Sequence, residues 1–353
     1  MKIERRTVEF KPRSRNLFFH ILTRCNLRCR HCYINPDQHG LEILDEETVT
    51  RWLSILSGKG ISACRDTTGA REAAAPAGET NVIFLGGEPT LNPALPAAVR
   101  AARRLGCASV TVDTNGFLFH DILEKVSPGE VDYFSFSLDG ASPEVNDPIR
   151  GDGVFEVCTR GIRKAAEKGF GISSIFTASR INLHDLGNMP SLLKDLGVTR
   201  FFIQVIGIRG KPASRGETDL QLSREEWNEI VPEVAVRAAG MGLHVTYPKV
   251  FLESHEKFQC AGLVADNYFV FPNGRVYRCP LCEDYPLHSL EIAKDALRLR
   301  PPVTELDLYG LTIPEGCVLN RILHPGNIDY DSRGRPENRI ACCMLKEEVC
   351  PGR

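Results

Sequence analysis

The chain has 353 residues, 42% of them hydrophobic and 25% charged, with a formal net charge of -2. That length and composition bury a large core and exclude a disordered polymer, while the near-balance of charge removes the basic field expected of a nucleic-acid-binding surface. The first residues, Met1 to Arg6, lack the apolar run of a signal peptide and no stretch reaches the length of a membrane span, so the expectation is a cytoplasmic protein without membrane or nucleic-acid partners.

The first predicted strand, Leu17 to Leu22, runs directly into Cys25, Cys29 and Cys32, spaced C-x3-C-x2-C and followed at once by Tyr33. Three thiolates on one short loop suit three irons of a [4Fe–4S] cube and leave the fourth iron open to a substrate. A structural zinc loop, or thiols that bind nothing, are the alternatives that the spacing alone leaves open. A helix is predicted over Glu46 to Ser57, capped by Asp45. The Gly/Ala-rich residues 58–80, which include Cys64, are long for a helix-to-strand connection and read as a mobile insertion on the face away from the site.

The second strand, Asn81 to Leu85, ends in Gly86-Gly87-Glu88-Pro89, where two glycines allow close approach to the backbone and Glu88 is an acceptor for an ammonium group. A helix follows from Pro93 to Leu105, with Asn92 before it and Gly106 after it. Strand Ser109 to Asp113 ends in Asn115-Gly116 and leads to a short helix, His120 to Val126. Strand Tyr133 to Leu138 carries Ser137 and runs into Asp139, then Asn146-Asp147-Pro148-Ile149-Arg150. For Arg150 an ion pair with Asp147 or Asp152 competes with a role in ligand binding. Helix Val154 to Lys168, stopped by Gly169, strand Gly171 to Thr177, helix Leu183 to Leu196, strand Arg200 to Ile206 and helix Ser223 to Met241 complete the series. Cys107 and Cys158 sit in apolar or helical surroundings and read as small buried hydrophobes.

Six alternations of strand and helix imply a parallel sheet of the α/β class, and the pattern changes near residue 250, so a partial (β/α)6 TIM barrel is expected rather than a closed eight-stranded one. Such folds place ligands at the C-terminal ends of the strands, where each motif above falls. Residues 1–250 are therefore assigned to the barrel and 251–353 to a cysteine-rich extension. Seven of the thirteen cysteines lie in that extension: Cys260, Cys279, Cys282, Cys317, Cys342, Cys343 and Cys350. Thirteen is a high number for a compartment that keeps thiols reduced, which points to metal or cluster ligation. Strand-like runs on either side of Asn273-Gly274 predict a hairpin that brings Cys279 and Cys282 beside Cys260. A zinc site on Cys279 and Cys282 competes with a cluster there.

The segment from Phe18 to Tyr33, with its Cys-Asn-Leu-x-Cys core, together with Gly86-Gly87-Glu88-Pro89, Asn115-Gly116 and Ser137-Leu138-Asp139-Gly140, resembles the radical S-adenosylmethionine (radical SAM) superfamily. The spacing C-x13-G-x4-C from Cys260 through Gly274 to Cys279 resembles the opening of its SPASM/Twitch extensions, although the later cysteines depart from the full SPASM order. The resemblance implies a [4Fe–4S] cluster on Cys25, Cys29 and Cys32 with SAM on the open iron. It implies that Gly86, Gly87 and Glu88 meet the methionine amino group, that Ser137 and Arg150 hold its carboxylate, and that Asn115 and Asp139 lie near the methionine or ribose. Tyr33 would flank the cluster, and Ile206 with Gly207 would offer backbone to the adenine. It also implies one auxiliary [4Fe–4S] cluster, with thiols enough for a second, and a flavodoxin or ferredoxin as reductant.

The activity implied is reductive cleavage of SAM to a 5'-deoxyadenosyl radical that takes hydrogen from a substrate. SPASM-type relatives most often modify peptides or proteins, in the manner of sulfatase maturases and enzymes of ribosomal peptide maturation, so that is the leading expectation. About sixteen residues precede the first predicted strand, too few for a fused leader-recognition domain, so the barrel itself or a separate protein would recognise a peptide. The alternatives are small-molecule or cofactor chemistry like that of the molybdenum-cofactor cyclase, and a non-catalytic iron–sulfur scaffold. No side chain is distinguished by sequence as a general acid or base or a radical quencher.

Overall fold

The computed structural model describes residues 2–10, 14–57, 79–253, 255–300, 303–311, 313–324 and 326–352. The expected insertion, apart from its last residues, and Cys64 lie outside them.

Fifteen strands are present among these residues: β1 (Ile3–Val8), β2 (Arg15–His20), β3 (Thr80–Leu85), β4 (Ser109–Thr114), β5 (Tyr133–Ser137), β6 (Gly171–Ala178), β7 (Arg200–Val205), β8 (His244–Pro248), β9 (Phe251–Leu252), β10 (Asp266–Val270), β11 (Arg275–Tyr277), β12 (Leu290–Ala293), β13 (Ala296–Leu299), β14 (Arg339–Ile340) and β15 (Lys346–Pro351). The six predicted strands are β2 to β7, and they pair in parallel in chain order. Two further strands extend the parallel run: β8 joins β7, and β10 joins β2. The whole sheet has the order β1-β15-β8-β7-β6-β5-β4-β3-β2-β10-β11-β12-β13, so it curls as a partial barrel but does not close. The segment beyond residue 250 continues the sheet from β10 through the predicted hairpin to β11, and its last strand, β15, pairs with β1 and β8 at the opposite edge.

Burial alternates along the central strands, as a period of two demands. Leu17 and Phe19, Val82 and Phe84, Val110 and Val112 are fully buried and join the main core with Leu53 and Val99 of the flanking helices. The other face is the concave one, and its lower level is polar. Asn16 Nδ2 donates to Asn267 Oδ1 (2.8 Å), Asn81 Nδ2 to Asn16 Oδ1 (3.1 Å) and Ser109 Oγ to Asn81 Oδ1 (2.8 Å). This side-chain ladder ties β10, β2, β3 and β4 at their N-terminal ends and leaves the C-terminal ends to carry the site.

Predicted helix signals hold at several places. Asp45 Oδ1 accepts from Thr48 N (2.8 Å) at the start of helix Glu46–Ser57, and Gly106 and Gly169 take positive φ just past helix ends. Asn92 does more than cap: its Nδ2 also donates to Ile21 O and Leu44 O, pinning the strand that feeds the cysteine loop. No helix among the described residues is long and apolar enough to cross a membrane.

Candidate functional site

The cysteine loop leaves β2 and is clamped by glycines on the next strand. A Cβ on Gly87 would stand 2.4 Å from Arg24 O, and one on Gly86 would stand 2.7 Å from Leu22 O. Gly87 N and Glu88 N donate to Leu22 O and Arg24 O. What a side chain at either glycine would meet is the chain's own cysteine loop, so their lack of a Cβ lets that loop seat against the end of β3. Glu88 is likewise engaged within the fold. Its side chain is fully buried, and Oε1 accepts from Thr90 N (3.1 Å), Thr90 Oγ1 (2.5 Å) and Thr114 Oγ1 (2.9 Å), while Oε2 accepts from Asn115 N (2.7 Å). It ties the segment after β3 to the end of β4.

Cys25, Cys29 and Cys32 are part-exposed free thiols on that loop. Leu27 N donates to Cys25 Sγ (3.3 Å), Asn115 Nδ2 approaches the same sulfur (3.8 Å), and Asn115 Nδ2 also donates to Asn26 Oδ1 (2.8 Å). Asn115 is thus turned to the cysteine loop. Burial pushes the Cys25 thiol up to about 11 and raises Cys29 as well, so ligation here releases protons. Among the described residues no His, Cys, Asp or Glu group converges on a point that a single ion would fill. A four-iron cube is wider than an ion, and three free thiols with N–H donors aimed at sulfur are the donor set that such a cluster takes.

Beside the loop lies a buried charge cluster. Arg150 Nε meets Asp139 Oδ2 at 2.6 Å and His31 Nε2 meets the same oxygen at 3.2 Å, with the Arg150 and Asp139 side chains 7% and 0% exposed. Neither contact has the alignment of a hydrogen bond. Burial alone would raise the Asp139 carboxyl, but Arg150 and His31 outweigh it and bring it down to about 2. Arg150 ends an unpredicted helix, Pro143–Arg150, in which Asn146 Oδ1 accepts from Asp139 N (2.9 Å). Neither Asp147 nor Asp152 pairs with it, and Asp147 instead accepts from Gly153 N and Phe155 N at the start of the next helix. Ser137 ends β5 nearby, and Ile206 N is spent on Ala178 O, leaving the carbonyl side of that segment.

One further acid faces the concavity. Asp113, on β4 beside Ser135, is pushed up to about 7 by burial, with the Ser135 hydroxyl opposing and Glu88 adding to the rise.

Tyr33 leads from the first site to the second. Its hydroxyl is 2.8 Å from His20 Nε2, and the His20 ring stacks on Phe271 (4.2 Å between centroids), which stacks on His39 (4.1 Å). The hairpin then delivers Cys279. A cavity in this region is lined by Cys260, Cys279, Cys317, Cys342 and Cys343, so four separate segments bring five thiols together. Cys282 is wholly buried beneath them with Phe269, Phe271 and Tyr277. Cys350 stands apart: it lies on β15 opposite Glu4 of β1, and the structure does not bring it to the others. The cavity wall is held by Glu305, which accepts from Arg278 N (2.5 Å), Cys279 N (3.0 Å) and Ser289 Oγ (2.7 Å). Glu305, His31, Thr90 and Thr114 escaped sequence reasoning. Only His31, inside the cysteine motif, carried a local signal.

Residues 19–193 match the family described as the Radical SAM superfamily. The chain is 29% identical over 219 residues to the Fe-coproporphyrin III synthase of Methanosarcina barkeri, covering 61% of this chain and 50% of that protein. It thus spans half the length of that relative. It is 25% identical over 279 residues to a Probable GTP 3',8-cyclase of Saccharolobus islandicus, covering 76% of this chain and 84% of that one. Among solved structures, Streptococcus suis SuiB bound to precursor peptide SuiA has a similar fold, with a TM-score of 0.56 at 13% identity over 88% of this chain and 64% of SuiB.

Proposed function

Because residues 19–193 of this chain belong to the radical SAM superfamily, we propose that it is an enzyme that cleaves SAM reductively and modifies a peptide or protein. Cys25, Cys29 and Cys32 hold a [4Fe–4S] cluster with SAM on the open iron, and a flavodoxin or ferredoxin supplies the electron. Bound and reduced, cluster and SAM supply a 5'-deoxyadenosyl radical for hydrogen abstraction. The chain's own part is placement. Arg150 meets Asp139 through Nε, and its terminal nitrogens suit the methionine carboxylate in a forked contact. Asp139 and His31 keep that guanidinium in place, Asn115 orients the cysteine loop, and Ser137 and the Ile206 carbonyl stand at strand ends where SAM would lie.

The peptide reading rests on the five thiols around one cavity. Four saturate a second [4Fe–4S] cluster, which leaves no open iron for a small substrate and suits a relay of electrons instead. The likeness in fold to SuiB, solved with its precursor peptide, agrees with this reading. A second reading, small-molecule chemistry, is favoured by the alignment with the GTP 3',8-cyclase, which covers most of both chains.

The test is anaerobic reconstitution of the wild type and a Cys25→Ala/Cys29→Ala/Cys32→Ala variant, with iron counted and 5'-deoxyadenosine assayed after SAM and dithionite. The wild type should hold about four more irons than the variant and alone make 5'-deoxyadenosine. Adding size-fractionated extract from deuterated cells then identifies the substrate class. Deuterium in 5'-deoxyadenosine from the peptide fraction supports the proposal, and deuterium from the small-molecule fraction alone gives the second reading. Full iron loading without SAM cleavage leaves a scaffold.

A further inference from the structure

The two cysteine sites share one side chain. Arg209, in the loop after β7, lies over the Tyr33 ring, 4.6 Å from its centroid. Its Nη1 pairs with Glu283 Oε2 at 3.1 Å and donates to Pro280 O. Tyr33 follows Cys32, Pro280 follows Cys279, and Glu283 follows Cys282. Only two non-covalent contacts therefore separate Cys32 from Cys279. Both partners are largely out of solvent, with side chains 15% and 2% exposed. Out of water, removing either group leaves its partner buried without a counterpart, so Arg209 and the segment that carries Glu283 are linked in position.

The same loop grips the first site through its backbone. Gly210 takes φ +58, and a Cβ there would stand 2.6 Å from both Cys32 O and Tyr33 Cα. Lys211 N donates to Cys32 O (3.0 Å) and Lys211 Nζ to Cys29 O (3.1 Å). Any movement of the segment from Cys279 to Glu283 is thus passed through Arg209 to the carbonyl side of the first cysteine loop.

We infer that Arg209 is a positioning residue that couples the two sites, so that filling the second site sets the reduction potential and SAM-cleaving rate of the first. The inference rests on reading both sites as iron–sulfur sites. The physical reason is charge: a reduced cluster is the more negative form, and a guanidinium held beside its loop stabilises that form and raises the potential. When the second site is empty the segment from Cys279 to Glu283 loosens, Arg209 leaves Tyr33, and the potential falls.

The experiment compares the full reconstituted chain as wild type, Cys260→Ala/Cys317→Ala, Arg209→Ala and the combination of these. Iron is counted, the SAM-binding cluster is titrated by electron paramagnetic resonance, and 5'-deoxyadenosine is assayed. Emptying the second site should lower the midpoint potential of the first and slow SAM cleavage about tenfold in the wild-type background. With Arg209→Ala the shift should shrink to less than half. Arg209→Lys, which keeps the charge near Glu283 but loses the planar stack, should fall between and guards against a folding defect. Equal shifts in both backgrounds would mean direct interaction between clusters and would overturn the coupling alone. If Cys260→Ala/Cys317→Ala loses no iron, the two-cluster reading falls and the coupling falls with it.

Discussion

The cysteine loop after β2 takes its three thiols from eight consecutive residues, whereas the second cavity takes five from four segments between residues 260 and 343. The first is a local device: strand, loop and spacing are set within one stretch of chain, and charged or polar neighbours then brace it. The second exists only after β10, the hairpin, the segment around Cys317 and the turn before β15 have met, and it rests on aromatic packing by Phe269, Phe271 and Tyr277. A site written in consecutive residues tolerates changes in distant packing. A site assembled from distant segments depends on all of them.

The largest effect that would break this contrast is at the buried charges bracing the first site. Arg150→Met leaves Asp139 buried against His31 alone and should cost about 3 kcal/mol or more in denaturant unfolding, with loss of SAM binding. The acid limb of stability should change too. The folded Asp139 carboxyl lies at about 2, below the usual value near about 4, so its contribution is complete above about pH 4 and is lost as pH falls towards about 2. In Arg150→Met that loss between about pH 4 and pH 2 should largely vanish. An unchanged acid limb would show that Arg150 does not hold Asp139.

A smaller effect is expected at the clamp. Gly87→Ala forces a methyl to within 2.4 Å of Arg24 O, so the cysteine loop must shift. About 1–3 kcal/mol of destabilisation and reduced iron at the first site should follow, with the second site still loaded. Iron lost equally from both sites would erase the distinction between local and assembled construction.

Asp113 gives a test of opposite sign on the concave face. Its folded pKa of about 7 exceeds the unfolded value near about 4, so the folded state binds the extra proton and stability falls as pH rises between those values, then levels. Asp113→Asn should remove that slope and stabilise the protein at pH 8 by about 1–2 kcal/mol, water in the concavity relieving part of the burial. A wild-type stability flat across that range would refute a buried, proton-retaining Asp113.

How far the sequence carried depends on the same contrast. The six strands from β2 to β7 were legible because apolar alternation and helix punctuation are local signals. β8, His-Val-Thr-Tyr-Pro, has too mixed a pattern to register. Among the described residues β1 pairs only with β15 at the far end of the chain, and β15 lies between β1 and β8, so both depend on distant partners. At the first site the three cysteines and Arg150 were legible as residues, but the inward turn of Glu88 was not, since its donors come from the turn after β3 (Thr90) and from the end of β4 (Thr114 and Asn115). At the second, spacing linked Cys260 to Cys279 but was silent on Cys317, Cys342 and Cys343, whose meeting is decided by topology.

Cys350 is the smallest effect and the sharpest check on that point. In sequence it is one of seven late cysteines with nothing to set it apart from Cys343. In the fold it sits on β15 with Glu4 opposite, one strand from the edge, and its thiol is raised by slight burial and by the neighbouring Glu348. Cys350→Ser should therefore change stability by no more than about 0.5 kcal/mol and leave iron content and SAM cleavage at wild-type levels. Cys317→Ser, which removes a thiol from the cavity itself, should lower iron content or slow its loading. If the two substitutions behave alike, the five-thiol cavity is not the boundary of the second site.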